Sequence, residues 1–318
     1  MSRFTDEYKI KYEGCLKRVQ KPARYIGNEF GSVHKKWSDD MLTFAFCFPD
    51  VYEVGMSHLG MKILYHMLNE REDTVCERVF APWDDMEQEM RKEGIPLLSM
   101  ESYVPVKNFD FIGFTLQYEM SYSNIVNMLD LAGVPLRTAE RTAGDPFVCC
   151  GGPCAYHAEP LSDLVDFFIL GEGEEVNSEI MDVYKEWKNS GSTDRDDFLM
   201  SIIPLGGVYV PKFYDVEYND DNTISRFEPN REGVPKQVRK RIILNMDNTY
   251  VPKKLIVPFM ETVHDRIMLE LFRGCIRGCR FCQAGYIYRP VRERSVDKLV
   301  ETAGAVSYTH LRAHETTL

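Results

Sequence analysis

No stretch of this 318-residue chain is apolar for long enough to cross a membrane, and its opening residues, MSRFTDEY, lack the apolar core of a signal peptide. The expected compartment is a reducing cytoplasm, with no membrane partner. An excess of positive charge is missing too. With 38 Lys and Arg against 49 Asp and Glu, the net charge of −11 argues against a general nucleic-acid binder, though it does not exclude nucleic acid as a partner. Residues 231–300 alone are basic, with 15 Lys and Arg against 7 Asp and Glu. Finally, no cysteine follows Cys282, and no Cys or Cys/His pair nearby completes a closed four-ligand zinc site.

What is present is the run RGCIRGCRFC, which spaces Cys275, Cys279 and Cys282 as C-x3-C-x2-C. Three thiolates on so short a loop can each hold one iron of a cubane iron–sulfur cluster, which takes four cysteines when it is fully protein-bound. One iron is then open to another ligand. A disulfide reading fails on compartment and on the strain of bridging residues so close in sequence. Cys15, Cys47 and Cys76 are scattered singly among apolar residues and are expected to pack as inert thiols. Cys149, Cys150 and Cys154 surround a glycine turn; neighbours on a strand point to opposite faces, so packing is again the expectation.

Hydrophobic patterning gives the organisation. Short apolar runs at 41–48, 75–80, 109–116, 147–150 and 165–170 alternate with amphipathic segments at 59–68, 84–93, 121–132 and 174–188. This is an α/β pattern, a doubly wound parallel sheet over residues 41–189 behind an N-terminal extension of residues 1–40. The polar stretch 189–194 is expected to end that domain. Residues 190–262 read as a linker and β-rich connector, with a hairpin turning at 219–222. Residues 267–271 (IMLEL) are then expected to form the first strand of a βα barrel that delivers the cysteine loop, with Ser295 capping the following helix. A barrel needs on the order of 200 residues. The segment 263–305 holds only its start, and these 318 residues are expected to be inactive alone. Residues 306–318 read as an artefactual tail, whose His310 and His314 are not counted as a metal pair.

The cysteine spacing, with the aromatic Phe281 before the last cysteine, resembles the signature of the radical S-adenosylmethionine (SAM) superfamily. That resemblance implies a 4Fe-4S cluster ligated by Cys275, Cys279 and Cys282, with SAM chelating the open iron. It also implies reductive cleavage of SAM to methionine and a 5′-deoxyadenosyl radical. Backbone at Phe281 would meet the adenine, with the Phe281 ring packed beside the cluster, and Gly274 and Gly278 would allow the tight wrap. A low-potential electron donor such as ferredoxin or flavodoxin is implied as a partner.

Upstream, Asp50-Val51-Tyr52-Glu53-Val54-Gly55 follows the first strand and resembles the D-x-H-x-x-G loop of cobalamin-binding domains, with Tyr52 in place of their cobalt-binding His. Neighbouring His58 is expected to pack at or inside the next helix. Thr115 closes the third strand, and Gly151, Gly152, Gly171 and Gly173 mark the turns after the fourth and fifth, where backbone can approach a flat ligand closely. In this order they resemble cobalamin-binding radical SAM proteins with a flavodoxin-like N-terminal domain, over roughly residues 20–300. Cobalamin is thereby implied as a further cofactor, and methylation as one reaction. Two other readings stay open, a radical SAM enzyme whose N-terminal domain no longer binds cobalamin, and a non-catalytic iron–sulfur electron-transfer protein. The substrate is not legible.

Overall fold

The computed structural model describes residues 6–38, 40–252, 254–264 and 268–304. Its core is a six-stranded sheet in the order β2-β1-β3-β4-β5-β6. The strands are β1 (Leu42–Phe48), β2 (Thr74–Phe80), β3 (Phe111–Thr115), β4 (Phe147–Gly151), β5 (Phe167–Ile169) and β6 (Val208–Tyr209). The first five are parallel, and their 2-1-3-4-5 order is that of doubly wound sheets whose ligands sit where the order reverses, beside β1 and β3. β1, β2 and β3 are buried at every position: β1 and β3 are largely apolar runs covered on both faces, whereas β2 also buries the charged Glu77 and Arg78.

The helices are α1 (Asp6–Cys15), the single-turn α2 (Tyr52–Gly55), α3 (Leu59–Glu70), α4 (Asp84–Glu93), α5 (Tyr122–Ala132), α6 (Gly173–Ser190) and α7 (Arg195–Ile202). Punctuation in the sequence explains their ends. α4 opens with Asp84, Asp85 and Glu87 against the positive end of its dipole and stops at the left-handed Gly94; α5 stops likewise at Gly133. α3 and α6 pack together, while Arg91 and Glu87 of α4 bond Asn127 of α5.

The packing runs past residue 189, where the sequence places the end of the domain. Asp194 caps α7 by accepting the Asp196 N–H at 2.9 Å, and α7 drives Phe198 into a cluster with Phe111, Phe147, Tyr184 and Trp187. β6 then pairs antiparallel with β5 and covers its outer edge. The opposite edge, β2, is covered by residues 99–102, where Met100 N–H donates to Arg78 O and Glu101 accepts the Arg78 N–H.

The expected hairpin is present as β7 (Tyr214–Tyr218) and β8 (Ile224–Pro229). Downstream the chain differs from a barrel start. Ile267 lies outside the described residues, and 268–271 form no ladder. The pairing found there is a short antiparallel ribbon of β9 (Phe272–Arg273) and β10 (Arg292–Glu293), with the one-turn α8 (Ala284–Ile287) between them. Ser295 caps the helix over 296–304, its Oγ accepting the Lys298 N–H at 3.2 Å. The tail 306–318 and its two histidines lie outside the described residues. Among the described residues no helix is long and apolar enough to cross a membrane.

Candidate functional site

A cleft of about 450 Å³ opens at the carboxyl edge of the parallel strands. Its inner part is a slot between the sheet and the α3–α6 pair. Gly113 makes the floor, since a Cβ there would lie 2.3 Å from Phe44 Cζ; the absent side chain leaves room for the Phe44 ring to lie across β3. Cys149 and Phe46 complete the floor, and Ile63, Leu64 and Asn177 form the roof. Asn177 is held there by donating from Nδ2 to Gly173 O at 2.6 Å.

The rim is built from turns that the sequence singles out. Thr115, Gly151, Gly152, Gly171 and Gly173 all line the cleft. Gly152 (φ +99°) needs to be glycine, because a Cβ would come 2.8 Å from Leu116 O. Gly171 (φ +104°) lies against Arg241, whose carbonyl would be 2.2 Å from a Cβ. Thr115 Oγ1 accepts from Gln117 Nε2 at 2.6 Å, and Gln117 also bonds His58. His58 is the N-cap of α3, its Nδ1 accepting the Met61 N–H at 3.1 Å, and burial lowers its pKa. Tyr156 adds a ring to the wall, with its phenol pushed up to about 12 by burial.

Asp50, Tyr52 and Gly55 are not among the cleft's lining residues. Tyr52 is 2% exposed and donates its hydroxyl to Glu29 Oε1 at 2.7 Å. Its ring packs on Phe80, which also fills the space beside Gly55. Asp50 accepts the Tyr118 hydroxyl at 3.1 Å. The loop that resembles D-x-H-x-x-G thus turns its tyrosine into the core instead of toward the rim.

The cleft's outer wall comes from 240–242 and from the segments flanking the cysteine loop, including Arg273, Gly274, Tyr288 and Arg292. Gly274 (φ +100°) passes so close to Pro290 that a Cβ would lie 2.5 Å from its carbonyl oxygen. The cysteine loop therefore starts at the cleft's edge. Cys279 is exposed, Cys275 and Cys282 are half-buried, and a turn from Cys282 N–H to Cys279 O (3.1 Å) joins the last two. The other six cysteines are buried; burial raises the thiol pKa of Cys15 and of Cys154, the latter to about 11, and holds Cys47, Cys76, Cys149 and Cys150 well above the ordinary thiol value. In kind and accessibility, the loop trio is the donor set that suits a thiolate-bound cluster. Among the described residues, no three His, Cys, Asp or Glu side chains are gathered closely enough to hold a metal ion. Gly278 has only Arg289 near it, and Phe281, expected to pack, is 92% exposed.

The family described as "Radical SAM proteins, N-terminal" matches residues 60–211, from α3 through β6. The match makes this stretch similar to the N-terminal region of radical SAM proteins. A particular relative is Uncharacterized protein MJ0966 of Methanocaldococcus jannaschii, 24% identical over 260 residues. The aligned region covers 81% of this chain and 45% of the relative, so the chain spans less than half of that protein's length. No solved structure matches the chain significantly.

Proposed function

We propose that this chain is the N-terminal part of a radical SAM iron–sulfur enzyme whose α/β domain holds cobalamin beside the cluster loop. The carrying observation is the junction of two features in one cleft: the slot beneath α3 and α6, and the stem of the C-x3-C-x2-C loop that forms its outer wall. Cys275, Cys279 and Cys282 would ligate three irons, leaving the fourth for SAM. Gly274 lets the chain leave the ribbon sharply into that loop. The cluster with SAM supplies radical chemistry on an unknown substrate, with methylation as the transfer that cobalamin would add.

The slot suits a flat heterocycle with a polar tail. Its floor is apolar, with the Phe44 ring lying across Gly113, and its mouth offers Thr115, Gln117 and the bare backbone of Gly151 and Gly152. Tyr52 is committed to Glu29 and His58 Nδ1 to the α3 cap, so neither of these groups is free to ligate a corrin's metal, and the residues that would hold a corrin are those of the slot. The placement of Tyr52 also favours a second reading, in which the domain keeps the fold and the slot but has lost the corrin.

Anaerobic purification of the full-length protein separates these readings. The expected result is 4Fe-4S absorbance, SAM-dependent release of 5′-deoxyadenosine and a copurifying corrin spectrum. Full turnover without corrin selects the second reading. A cluster with no SAM cleavage leaves only electron transfer and overturns both.

A further inference from the structure

The β5–α6 turn does more than line the slot. Glu172 accepts from Arg292 Nη1 with both oxygens, at 2.6 and 2.8 Å, and also takes the Ile243 N–H at 2.5 Å. Glu174 pairs with Arg273, two residues before Cys275. Arg273 and Arg292 face each other across the β9–β10 ribbon, and all four side chains are largely shielded from water. Glu270 also accepts from Arg273 Nε, at 2.7 Å. Two arginines side by side repel, so the ribbon's seat depends on the carboxylates beneath it.

We infer that Glu172 and Glu174 are positioning residues for the cluster loop: they fasten the ribbon to the rim of the slot and so set the first cysteine thiol. The inference rests on the reading of Cys275, Cys279 and Cys282 as cluster ligands. One turn thereby supports both a slot occupant and the loop.

The test uses full-length protein, anaerobically reconstituted with iron and sulfide, as wild type, Glu172→Gln, Glu174→Gln and the control Glu175→Gln. Glu175 is 58% exposed and pairs with Arg241 outside the ribbon. SAM is titrated into the reduced protein and followed by electron paramagnetic resonance, with thermal unfolding measured in parallel. Outer partners of metal ligands typically matter about 10- to 100-fold. The SAM concentration at half-conversion is expected to rise by that factor in Glu172→Gln and Glu174→Gln and to stay at the wild-type value in Glu175→Gln, with unfolding of the sheet unchanged. Wild-type titrations in both rim variants, or equal weakening in all three, overturn the inference. Should Glu174→Gln assemble no cluster, recovery in Glu174→Asp supports it and continued loss overturns it. Absence of a cluster in wild type is a different outcome and sinks the reading of the cysteines instead.

Discussion

Arg78, on the edge strand β2, directs its guanidinium onto the carboxylate of Glu29 in the N-terminal extension, with Nη1 and Nη2 bonding separate oxygens at 3.0 and 2.6 Å. Glu101 takes its Nε at 2.6 Å, and Arg78 is 1% exposed. One buried cation thus joins the extension, the edge strand and the segment covering it. Replacing it leaves two carboxylates unpaired out of water. Arg78→Met is expected to lose about 3–5 kcal/mol in urea unfolding.

The same cluster gives a pH dependence. Burial pushes Glu101 up to about 7, outweighing Arg78, which pulls the other way, and the neighbouring charges of Glu77 and Glu29 add to the rise. The folded state then binds this proton more tightly than the unfolded state between the ordinary carboxyl value, 4.5, and about 7. Stability from this group is present below that window and is lost as pH rises through it. Glu101→Gln, neutral throughout, is expected to gain on wild type between pH 4.5 and 7 in urea midpoints. A gain that shrinks with rising pH contradicts this.

Two glycines separate backbone strain from collision. Gly133 (φ +67°) has nothing within 4 Å of where a Cβ would be, so Gly133→Ala is expected to lose about 1–2 kcal/mol from conformation alone. Gly171→Ala adds a clash with Arg241 backbone and is expected to lose clearly more. Thermal unfolding of the two variants side by side checks the order.

The cysteines divide by environment. Cys275→Ser, Cys279→Ser and Cys282→Ser are each expected to abolish 4Fe-4S absorbance in the reconstituted full-length protein. Cys149→Ser and Cys150→Ser are expected to keep it, because their sulfurs are buried in the sheet. Iron content per chain is the measurement.

Where side-chain chemistry acts locally, the sequence was legible. Acidic residues at 84, 85 and 87 and the glycine at 94 bound α4 at both ends, and the glycines after β4 and β5 do lie on the cleft. α7 was obscured because it follows a polar break, although Asp194 and the spacing of Phe198, Leu199 and Ile202 carried its signal. The slot's depth was not readable, since Gly113 becomes its floor only through the register that sets it beside Phe46 of β1. The Arg273–Glu174 pair joins residues 99 positions apart, and no local pattern announces such a contact. Tyr52 was located correctly in the chain, but its direction depended on a partner, Glu29, that lies in another segment.

The stretch after α7 is sewn into the sheet in two places: β6 hydrogen-bonds along β5, and Arg241 exchanges backbone bonds with Leu170 and Glu172. A recombinant boundary drawn at residue 190 would strip this seam and bare the flank of β5, whose unsatisfied amides and carbonyls would then recruit a neighbouring molecule. A piece that carries the connector through Arg241 keeps both seams and leaves that flank of β5 paired.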